Sequence, residues 1–302
     1  MILRRWIALI GLTLFPAVPA TARGPAVPLR EIVVENGLVY GKGGEKELQL
    51  DLARPQGDGP FPVVVGIHGG AWRLGSRKQL TIQLPWLGNR SIIEYFAARG
   101  FVAVTVGYRL APDVQYPAMI EDCKAAVRWV RANAAKYHAD PDHVASWGYS
   151  AGGHLACLLG DSEPADGLEG GGGHPEQSSK VQAVIDLFGP TDFTADWKPD
   201  VEEKVFAPLV GARLKDRPDV YRKASPLQLV RKGAPPHLII HGTADNVVPL
   251  NQSKALASKL KDLGVPVRYV EMEGKGHGWL GDDLTKTLDQ SVDFLREQWK
   301  LP

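Results

Sequence analysis

"WGYSAGG", residues 147–153, is the stretch that decides the fold. It carries the pattern G-x-S-x-G on Gly148, Ser150 and Gly152, between a run typical of a strand and a run typical of a small-residue helix. In that context the pattern predicts a nucleophile elbow, a sharp strand-to-helix turn that projects a serine over one edge of a sheet. Glycines two residues on either side relieve clashes between the chains that meet there. We therefore predict that Ser150 is an activated nucleophile in strained backbone geometry.

The chain on either side of this stretch alternates between apolar, valine-rich runs and helical patterns. Short apolar runs fit strands that are buried on both faces of a parallel sheet. Two further strands around a glycine-containing turn, in residues 30–55, predict an antiparallel hairpin. One helical pattern starts with Asn251 as a candidate cap. The sequence thus predicts an α/β fold, with a mostly parallel central sheet of about eight strands, an antiparallel N-terminal hairpin and helices on both faces.

The first 22 residues differ from the rest of the chain. A basic start, an apolar stretch of ten residues and the "ATA" cleavage pattern at 20–22 predict a secretory signal peptide, residues 1–22. A retained membrane anchor is the alternative, but the apolar run is short for a bilayer. We expect an exported protein, periplasmic or secreted, with one catalytic domain at 23–302 and no membrane contact after cleavage. Two irregular segments, 161–180 and 192–233, are candidate lids, and the first also has the composition of a mobile loop.

Composition excludes several classes of protein. A formal net charge of +1 over 302 residues argues against a nucleic-acid partner, and the chain is long enough for one large core. Cys123 and Cys157 lie in apolar helical patterns, where they are either buried thiols or, in an oxidising compartment, a disulfide. No C-x-x-C pair or closely spaced Cys/His cluster indicates a structural zinc site, so we expect no metal of this kind. Nothing in the sequence indicates the oligomeric state.

A serine hydroxyl needs a neighbouring base before it can act as a nucleophile. In folds with a nucleophile elbow, the chain order is serine, acid, histidine. Asp245 follows the buried run "HLIIHG", and His277 lies in the glycine-flanked "EGKGHGW". Both therefore follow predicted strands at the edge of the sheet that holds Ser150, and we predict that the three form a catalytic triad. Asp192 is the alternative acid of the triad. Its other interpretation is a residue that closes a turn or caps a helix.

The stretch "HGGAW", residues 68–72, follows the third predicted strand. Acyl transfer places negative charge on a carbonyl oxygen, and backbone N–H groups aimed at that oxygen stabilise it. We predict the amides of Gly70, Ala71 and Ala151 as the oxyanion hole. His68 then becomes a scaffold residue that bonds within the turn. Three tryptophans are candidates for an aromatic platform or for the core: Trp72, Trp197 and Trp279.

Several of these segments, taken together, carry a family resemblance. "HGGAW", "GYRLAP", "GYSAGGHLA", "DLFGPTDF" and "EGKGHG" resemble the α/β-hydrolase esterases, most closely the exported bacterial acetyl-xylan and feruloyl esterase-like group and more distantly the hormone-sensitive-lipase-like esterases. The resemblance covers residues 31–299. It implies a serine carboxylic-ester hydrolase that forms an acyl-enzyme on small acyl esters, such as acetyl or feruloyl groups of plant polysaccharides, without metal or cofactor.

The resemblance also implies the same site residues as the pattern reading. One departure is Ala71, which stands where the lipase-like HGGG motif has its third glycine, and it implies less room around the acyl group. Two alternative functions remain: a prolyl-oligopeptidase-like peptidase and a non-catalytic binding module on a hydrolase fold. The peptidases usually carry a large propeller domain, which the chain does not accommodate, and binding modules normally lack a triad member.

Overall fold

The structure, a computed structural model, describes residues 29–302. The predicted signal peptide, residues 1–22, lies outside the described residues and stays a prediction. Within the described part of the chain, no helix is both long enough and apolar enough to cross a bilayer.

Eight strands form a single sheet in the order β1-β2-β4-β3-β5-β6-β7-β8. The β1–β2 and β2–β4 pairs are antiparallel, and all other neighbouring pairs are parallel. This arrangement confirms the predicted mostly parallel sheet of about eight strands with an N-terminal hairpin. The strands are β1 (Ile32–Gly43), β2 (Lys46–Pro55), β3 (Phe61–Ile67), β4 (Val102–Val106), β5 (Ala139–Tyr149), β6 (Ala183–Leu187), β7 (His237–Gly242) and β8 (Val267–Met272).

Helices connect the strands and vary widely in length. They are α1 (Ile92–Ala97), α2 (Ala118–Ala132), α3 (Ala134–Tyr137), α4 (Ala151–Asp161), α5 (Pro199–Val201), α6 (Ala207–Val210), α7 (Pro218–Lys223), α8 (Pro226–Leu229), α9 (Asn251–Asp262) and α10 (Gly281–Trp299). The predicted cap at Asn251 is wrong. Asn251 is the first residue of α9, the cap position is Leu250, and no side chain bonds to the free amides there.

Alternate residues of the central strands feed two separate apolar cores, one on each face of the sheet. On β3, Val63 and Val65 join the core that α2, α4 and α9 cover, whereas Val64 joins the core that α1 and α10 cover. Strands buried on both faces need continuous apolar runs, which is why the valine-rich pattern predicted them. Helices therefore cover both faces, as predicted.

The parallel direction of the strands decides where the site forms. β3, β5, β7 and β8 run the same way, so their carboxyl ends meet at one edge of the sheet. Residues that follow these four strands include the glycine turn after Ile67 and Ser150, Asp245 and His277. Distant parts of the sequence are thus brought to one edge by topology alone.

The segment 161–180 is fixed to the side of the molecule, because buried cations on α2 hold it. Arg128 donates to the carbonyls of Gly173 and Glu169, each at 2.9 Å, and Lys124 forms a 2.8 Å ion pair with the Glu169 carboxylate. Composition had indicated a mobile loop. In the structure the segment instead forms a bonded layer over α2, since its glycines allow close packing of backbone.

Candidate active site

Ser150 sits at the turn between β5 and α4 with φ +55°, a conformation that non-glycine residues rarely adopt. Its amide donates to the carbonyl of Leu187 on β6 at 2.9 Å. A Cβ on Gly148 would lie 2.2 Å from the Gly152 carbonyl oxygen, and one on Gly152 would lie 2.1 Å from that of Ile67. Only glycine fits at either position, so the strained elbow has the geometry that the sequence pattern predicted.

Ser150, His277 and Asp245 form a continuous chain of hydrogen bonds. Ser150 Oγ lies 2.8 Å from His277 Nε2, and His277 Nδ1 lies 2.8 Å from Asp245 Oδ2. The Asp245 side chain is fully buried, and that of His277 is 19% exposed. A carboxylate beside Nδ1 fixes the tautomer with the proton on Nδ1, which leaves Nε2 free to accept the serine proton. The structure therefore brings the three predicted residues together.

The Asp245 carboxylate is held by four donors. Oδ1 accepts from the amides of Val247 and Val248 at 2.8 and 3.0 Å, and Oδ2 faces both His277 Nδ1 and His241 Nε2. Burial by itself raises the pKa of this carboxyl, but the hydrogen bonds from His241, His277 and the Val247 amide outweigh burial and hold that pKa well below its usual range. Asp245 is therefore a stable anion at neutral pH.

His241 is a member of this network that the sequence reading missed. Its Nε2 lies 3.2 Å from Asp245 Oδ2 and 3.0 Å from the Val248 carbonyl, and its Nδ1 lies 2.7 Å from Ser253 Oγ. The bond to the Val248 carbonyl lies within the turn that follows β7. The contact with Asp245 comes in addition, and the only sequence signal for it is the four-residue separation across the end of β7.

The backbone after β3 adopts an unusual run of left-handed conformations. Gly70 has φ +117° and Ala71 has φ +51°, and a Cβ on Gly70 would lie 2.1 Å from the Leu74 carbonyl oxygen. The amides of Gly70, Ala71 and Ala151 bond to no acceptor within residues 29–302. Gly70 and Ala71 line the same cavity as Ser150. The predicted oxyanion donors are therefore unengaged and close to the nucleophile.

His68 supports this turn from beneath. Its Nδ1 lies 2.7 Å from the Gly69 carbonyl oxygen, and its ring stacks on Tyr108 with centroids 4.3 Å apart. The Tyr108 hydroxyl donates to the His68 carbonyl at 3.0 Å. Burial lowers the pKa of His68 to about 4, so the ring is neutral at physiological pH. These contacts agree with the predicted scaffold role.

The other candidate residues lie away from the catalytic atoms. Asp192 accepts from the amide and hydroxyl of Thr194, which closes a local turn. Of the three tryptophans, Trp279 lines the cavity, whereas Trp72 is buried and Trp197 packs against the core. Cys123 and Cys157 are both buried and free, so the structure contains no disulfide between them.

Beside Ser150 lies a cavity of about 1030 Å³. Its walls are mostly aliphatic and aromatic, and four of its lining side chains are large, apolar and exposed at its mouth: Leu74, Ile82, Val247 and Leu280. Exposed apolar side chains gathered at one mouth are typical of a site that binds an apolar ligand. Neither 161–180 nor 192–233 contributes a lining residue, so neither predicted lid segment walls this cavity.

One wall of the cavity is the segment between β3 and α1, anchored by a buried carboxylate. Arg77 Nε lies 3.0 Å from Asp51 Oδ1, and Lys78 Nζ lies 2.9 Å from Asp51 Oδ2 on strand β2. Further along, Leu84 and Arg90 pair as an isolated antiparallel bridge. The wall is therefore held at one point by charge and closed at its base by backbone bonds.

Comparison with known proteins places this geometry in a family. The BD-FAE family profile matches residues 50–260. Esterase LipC of Mycobacterium tuberculosis is 34% identical over 272 residues, which covers 86% of this chain and 64% of LipC. Among solved structures, a truncated carbohydrate esterase from gut microbiota is 30% identical with a TM-score of 0.74, covering 91% of this chain and 99% of that chain.

A second solved structure, the esterase Est2 of Thermogutta terrifontis, is 31% identical with a TM-score of 0.71 and covers 90% of this chain and 94% of its own. The chain spans just under two thirds of the length of the curated mycobacterial relatives that it matches.

Proposed function

This chain belongs to the BD-FAE family of α/β-hydrolase esterases, and on that premise we propose that it is a serine carboxylic-ester hydrolase that works through an acyl-enzyme. The observation that carries the proposal is the hydrogen-bonded chain from Ser150 Oγ through His277 to Asp245, with both bonds at 2.8 Å. A hydroxyl, a base and a buried anion in this order can activate an alcohol at neutral pH.

In the first half-reaction, Ser150 Oγ attacks the ester carbonyl carbon while its proton passes to His277 Nε2. Asp245 stabilises the resulting imidazolium, and the amides of Gly70, Ala71 and Ala151 stabilise the negative carbonyl oxygen. The tetrahedral intermediate then breaks its bond to the alcohol oxygen, and His277 gives that oxygen the proton. The alcohol leaves, and the acyl group remains on Ser150.

In the second half-reaction, water takes the place of the alcohol. His277 removes a proton from the water as its oxygen attacks the acyl carbon, and the same amides hold the second oxyanion. The bond to Ser150 Oγ then breaks, and His277 returns the proton to that oxygen. The products are the carboxylic acid and the free serine, so no metal or cofactor enters the balance.

We propose that the preferred substrate carries a large apolar group next to its ester bond. The cavity of about 1030 Å³ is as large as those that hold whole drug-sized ligands, and an acetyl group would leave most of it filled by water. An aromatic acyl group of the feruloyl type, or an aliphatic chain of medium length, matches the apolar lining better. We further propose that acyl groups of the feruloyl type are released from plant polysaccharide. The family and the related carbohydrate esterase support this proposal.

The catalytic proposal is tested with Ser150→Ala and a fluorophosphonate probe. We expect the unchanged chain to be labelled and to hydrolyse p-nitrophenyl butyrate, and the variant to lose both properties while its circular dichroism stays the same. Near-normal turnover by Ser150→Ala, or absence of labelling in the unchanged chain, would contradict the proposal. A panel of peptide amides run in parallel separates an esterase from a peptidase.

The substrate proposal is tested with p-nitrophenyl esters of two to twelve carbons, together with methyl ferulate and acetyl-xylan. We expect kcat/KM to rise from acetate to the medium chains and methyl ferulate to exceed acetyl-xylan. A maximum at acetate would contradict the assignment of the apolar cavity to the acyl group, while leaving the catalytic proposal intact.

A further inference from the structure

A second group of reactive side chains lies deep between α4 and β7. Cys157 and Asp161 are four residues apart on α4 and therefore share one face of the helix, and His237 is the first residue of β7. All three are fully buried. A sulfur, a carboxylate oxygen and an imidazole nitrogen, one from each residue, lie within 4.8 Å of one another.

The polar atoms of this group lack partners. Neither oxygen of Asp161 has a hydrogen-bond partner within residues 29–302, and neither does His237 Nε2. His237 Nδ1 lies 2.8 Å from the Pro235 carbonyl, so Nδ1 carries the ring proton and the lone pair of Nε2 is directed toward Asp161, with Oδ1 at 3.3 Å. Two lone pairs face each other in a dry site only when a positive charge, a proton or a cation, lies between them.

A single proton leaves this site short of positive charge. Asp186 lies beside the Cys157 thiol, and its Oδ2 also has no hydrogen-bond partner among the described residues. One protonated imidazole therefore faces two buried carboxyl groups. The nearby cations bond elsewhere: Arg231 donates to Asp166, and Lys259 to the Leu227 carbonyl. Asp186 Oδ1 accepts from the Gly189 amide at 2.9 Å, but two buried carboxylates with this little compensation are costly, which favours an additional cation.

We propose that Cys157, Asp161 and His237 form a buried site for one divalent transition-metal cation with the ligand preferences of zinc. Thiolate, imidazole and carboxylate are the donors that zinc takes in proteins. Tetrahedral bonds of about 2.0–2.3 Å place neighbouring donors roughly 3.3–3.7 Å apart. The 3.3 Å separation between His237 Nε2 and Asp161 Oδ1 already has this value, and all three donor atoms lie within 4.8 Å of one another.

One further feature fits this assignment. The bond from His237 Nδ1 to a carbonyl is the arrangement that usually orients a metal-bound histidine. Binding releases the thiol proton of Cys157 to solvent. The cation would connect α4, which begins after the nucleophile, to β7, which leads to Asp245, and would act as a structural clamp. The ligands come from separated segments, which is why the spacing of Cys and His in the sequence indicated no metal.

Cobalt(II) reports both the geometry and the ligands of such a site. We expect the full chain, after treatment with a chelator, to take up one equivalent of cobalt and to show intense visible bands with a thiolate-to-cobalt band in the near ultraviolet; zinc should abolish both. Cys157→Ser should remove the near-ultraviolet band. Cys123→Ser, which changes an equally buried cysteine on α2, should retain it.

Thermal unfolding gives a second readout. We expect zinc to raise the Tm of the unchanged chain and of Cys123→Ser by several degrees, and to leave the Tm of His237→Gln unchanged. The proposal is overturned if the unchanged chain takes up no stoichiometric cobalt, if its cobalt spectrum lacks a thiolate band, or if Cys157→Ser keeps that band. The first two results need no variant, so they decide the matter even if a substitution prevents folding.

Discussion

His241 Nε2 lies 3.2 Å from Asp245 Oδ2, the same oxygen that His277 Nδ1 approaches to 2.8 Å. The anion of the site thus has two imidazoles on one oxygen, only one of which reaches Ser150. His241 contacts neither the nucleophile nor the cavity, so it acts through Asp245 and is a positioning residue. Its Nδ1 lies beside the hydroxyl of Ser253 on α9. The hydrogen-bond network around Asp245 therefore reaches the helix layer that covers the sheet.

Replacing His241 should remove one donor to the Asp245 carboxylate while leaving the carboxylate itself in place. We expect His241→Phe, which keeps a ring but loses the donor, to lower kcat about tenfold with little change in KM, because one charged hydrogen bond contributes about 1.5–3 kcal/mol. Ser253→Ala should have a smaller effect in the same direction. A wild-type kcat in His241→Phe would show that the 3.2 Å contact has no role in positioning.

His241→Phe should also change how the stability of the protein depends on pH. The depressed pKa of Asp245 contributes stability that is present above the carboxyl's unfolded pKa and is lost as the pH falls through its folded pKa. Loss of the His241 donor raises that folded pKa. His241→Phe should therefore be less stable than the unchanged chain at pH 7, and the difference should shrink below pH ~4. Urea unfolding at both pH values measures it.

Asp245→Asn should leave the fold and abolish most turnover. An amide in place of the carboxylate cannot stabilise the imidazolium and favours the wrong tautomer of His277, so we expect kcat to fall by roughly 10³–10⁴. Oδ1 should still accept from the Val247 and Val248 amides, which keeps the turn closed. The measurement is p-nitrophenyl ester turnover with circular dichroism as the control for folding, and a loss below tenfold would argue against Asp245 as the acid.

Two buried neutral histidines should make the protein sensitive to mild acid. Burial lowers the pKa of both His68 and His154 to about 4. Since an unfolded histidine has a pKa near 6.5, the unfolded state binds more protons between these values, and stability falls as the pH drops from 6.5 to 4. Each ring contributes a loss of roughly 3 kcal/mol across that window.

A buried carboxyl opposes this loss of stability in acid, and a histidine variant separates the two contributions. Burial raises the pKa of Asp186 to about 6, which stabilises the folded state as the pH falls, so the curve of the unchanged chain is a sum of both. His154 accepts from Trp72 and donates to the Ala224 carbonyl, an arrangement that only the neutral ring permits. We expect His154→Gln to be less stable at pH 7 and to lose less stability between pH 6.5 and 4. Equal losses in both proteins would refute the assignment.

Ala71→Gly should change substrate preference more than stability. At φ +51°, alanine carries strain of about 1 kcal/mol that glycine relieves, while glycine adds a similar entropy to the unfolded chain. The two effects nearly cancel. Loss of the methyl widens the cavity beside Ser150, so kcat/KM should rise for bulky acyl groups relative to acetate. An unchanged chain-length profile would show that Ala71 does not limit the acyl group.

Sequence reasoning recovered the parts of the site that local rules determine. The elbow around Ser150 follows from glycine spacing, and the positions of Asp245 and His277 follow from chain order and from the common direction of parallel strands. These rules act within a few residues or through topology, so one sequence suffices. The backbone of "HGGAW" was predictable for the same reason.

The contacts between side chains were harder to predict from the sequence. Whether His241 turns toward Asp245 depends on packing against α9, and whether Cys157 and Asp161 meet His237 depends on how α4 lies over β7. One cavity wall comes from an aperiodic segment whose position depends on two ion pairs with Asp51, a residue distant in sequence. The sequence indicated lids at 161–180 and 192–233 because irregular composition marks loops without showing what they cover.

The wall between β3 and α1 lines the cavity separately from the side chains that we propose act on the ester. Residues 70–84 supply more of the cavity lining than any other continuous segment, yet they include none of the three side chains proposed as catalytic. The segment leaves the sheet after the glycine turn that follows β3 and is closed by the Leu84–Arg90 bridge before α1 begins. Residues 74–90 thus line the cavity without contributing to the hydrogen-bonded chain of Ser150, His277 and Asp245, so substitutions there should change the choice of ester more than the proposed bond-breaking step.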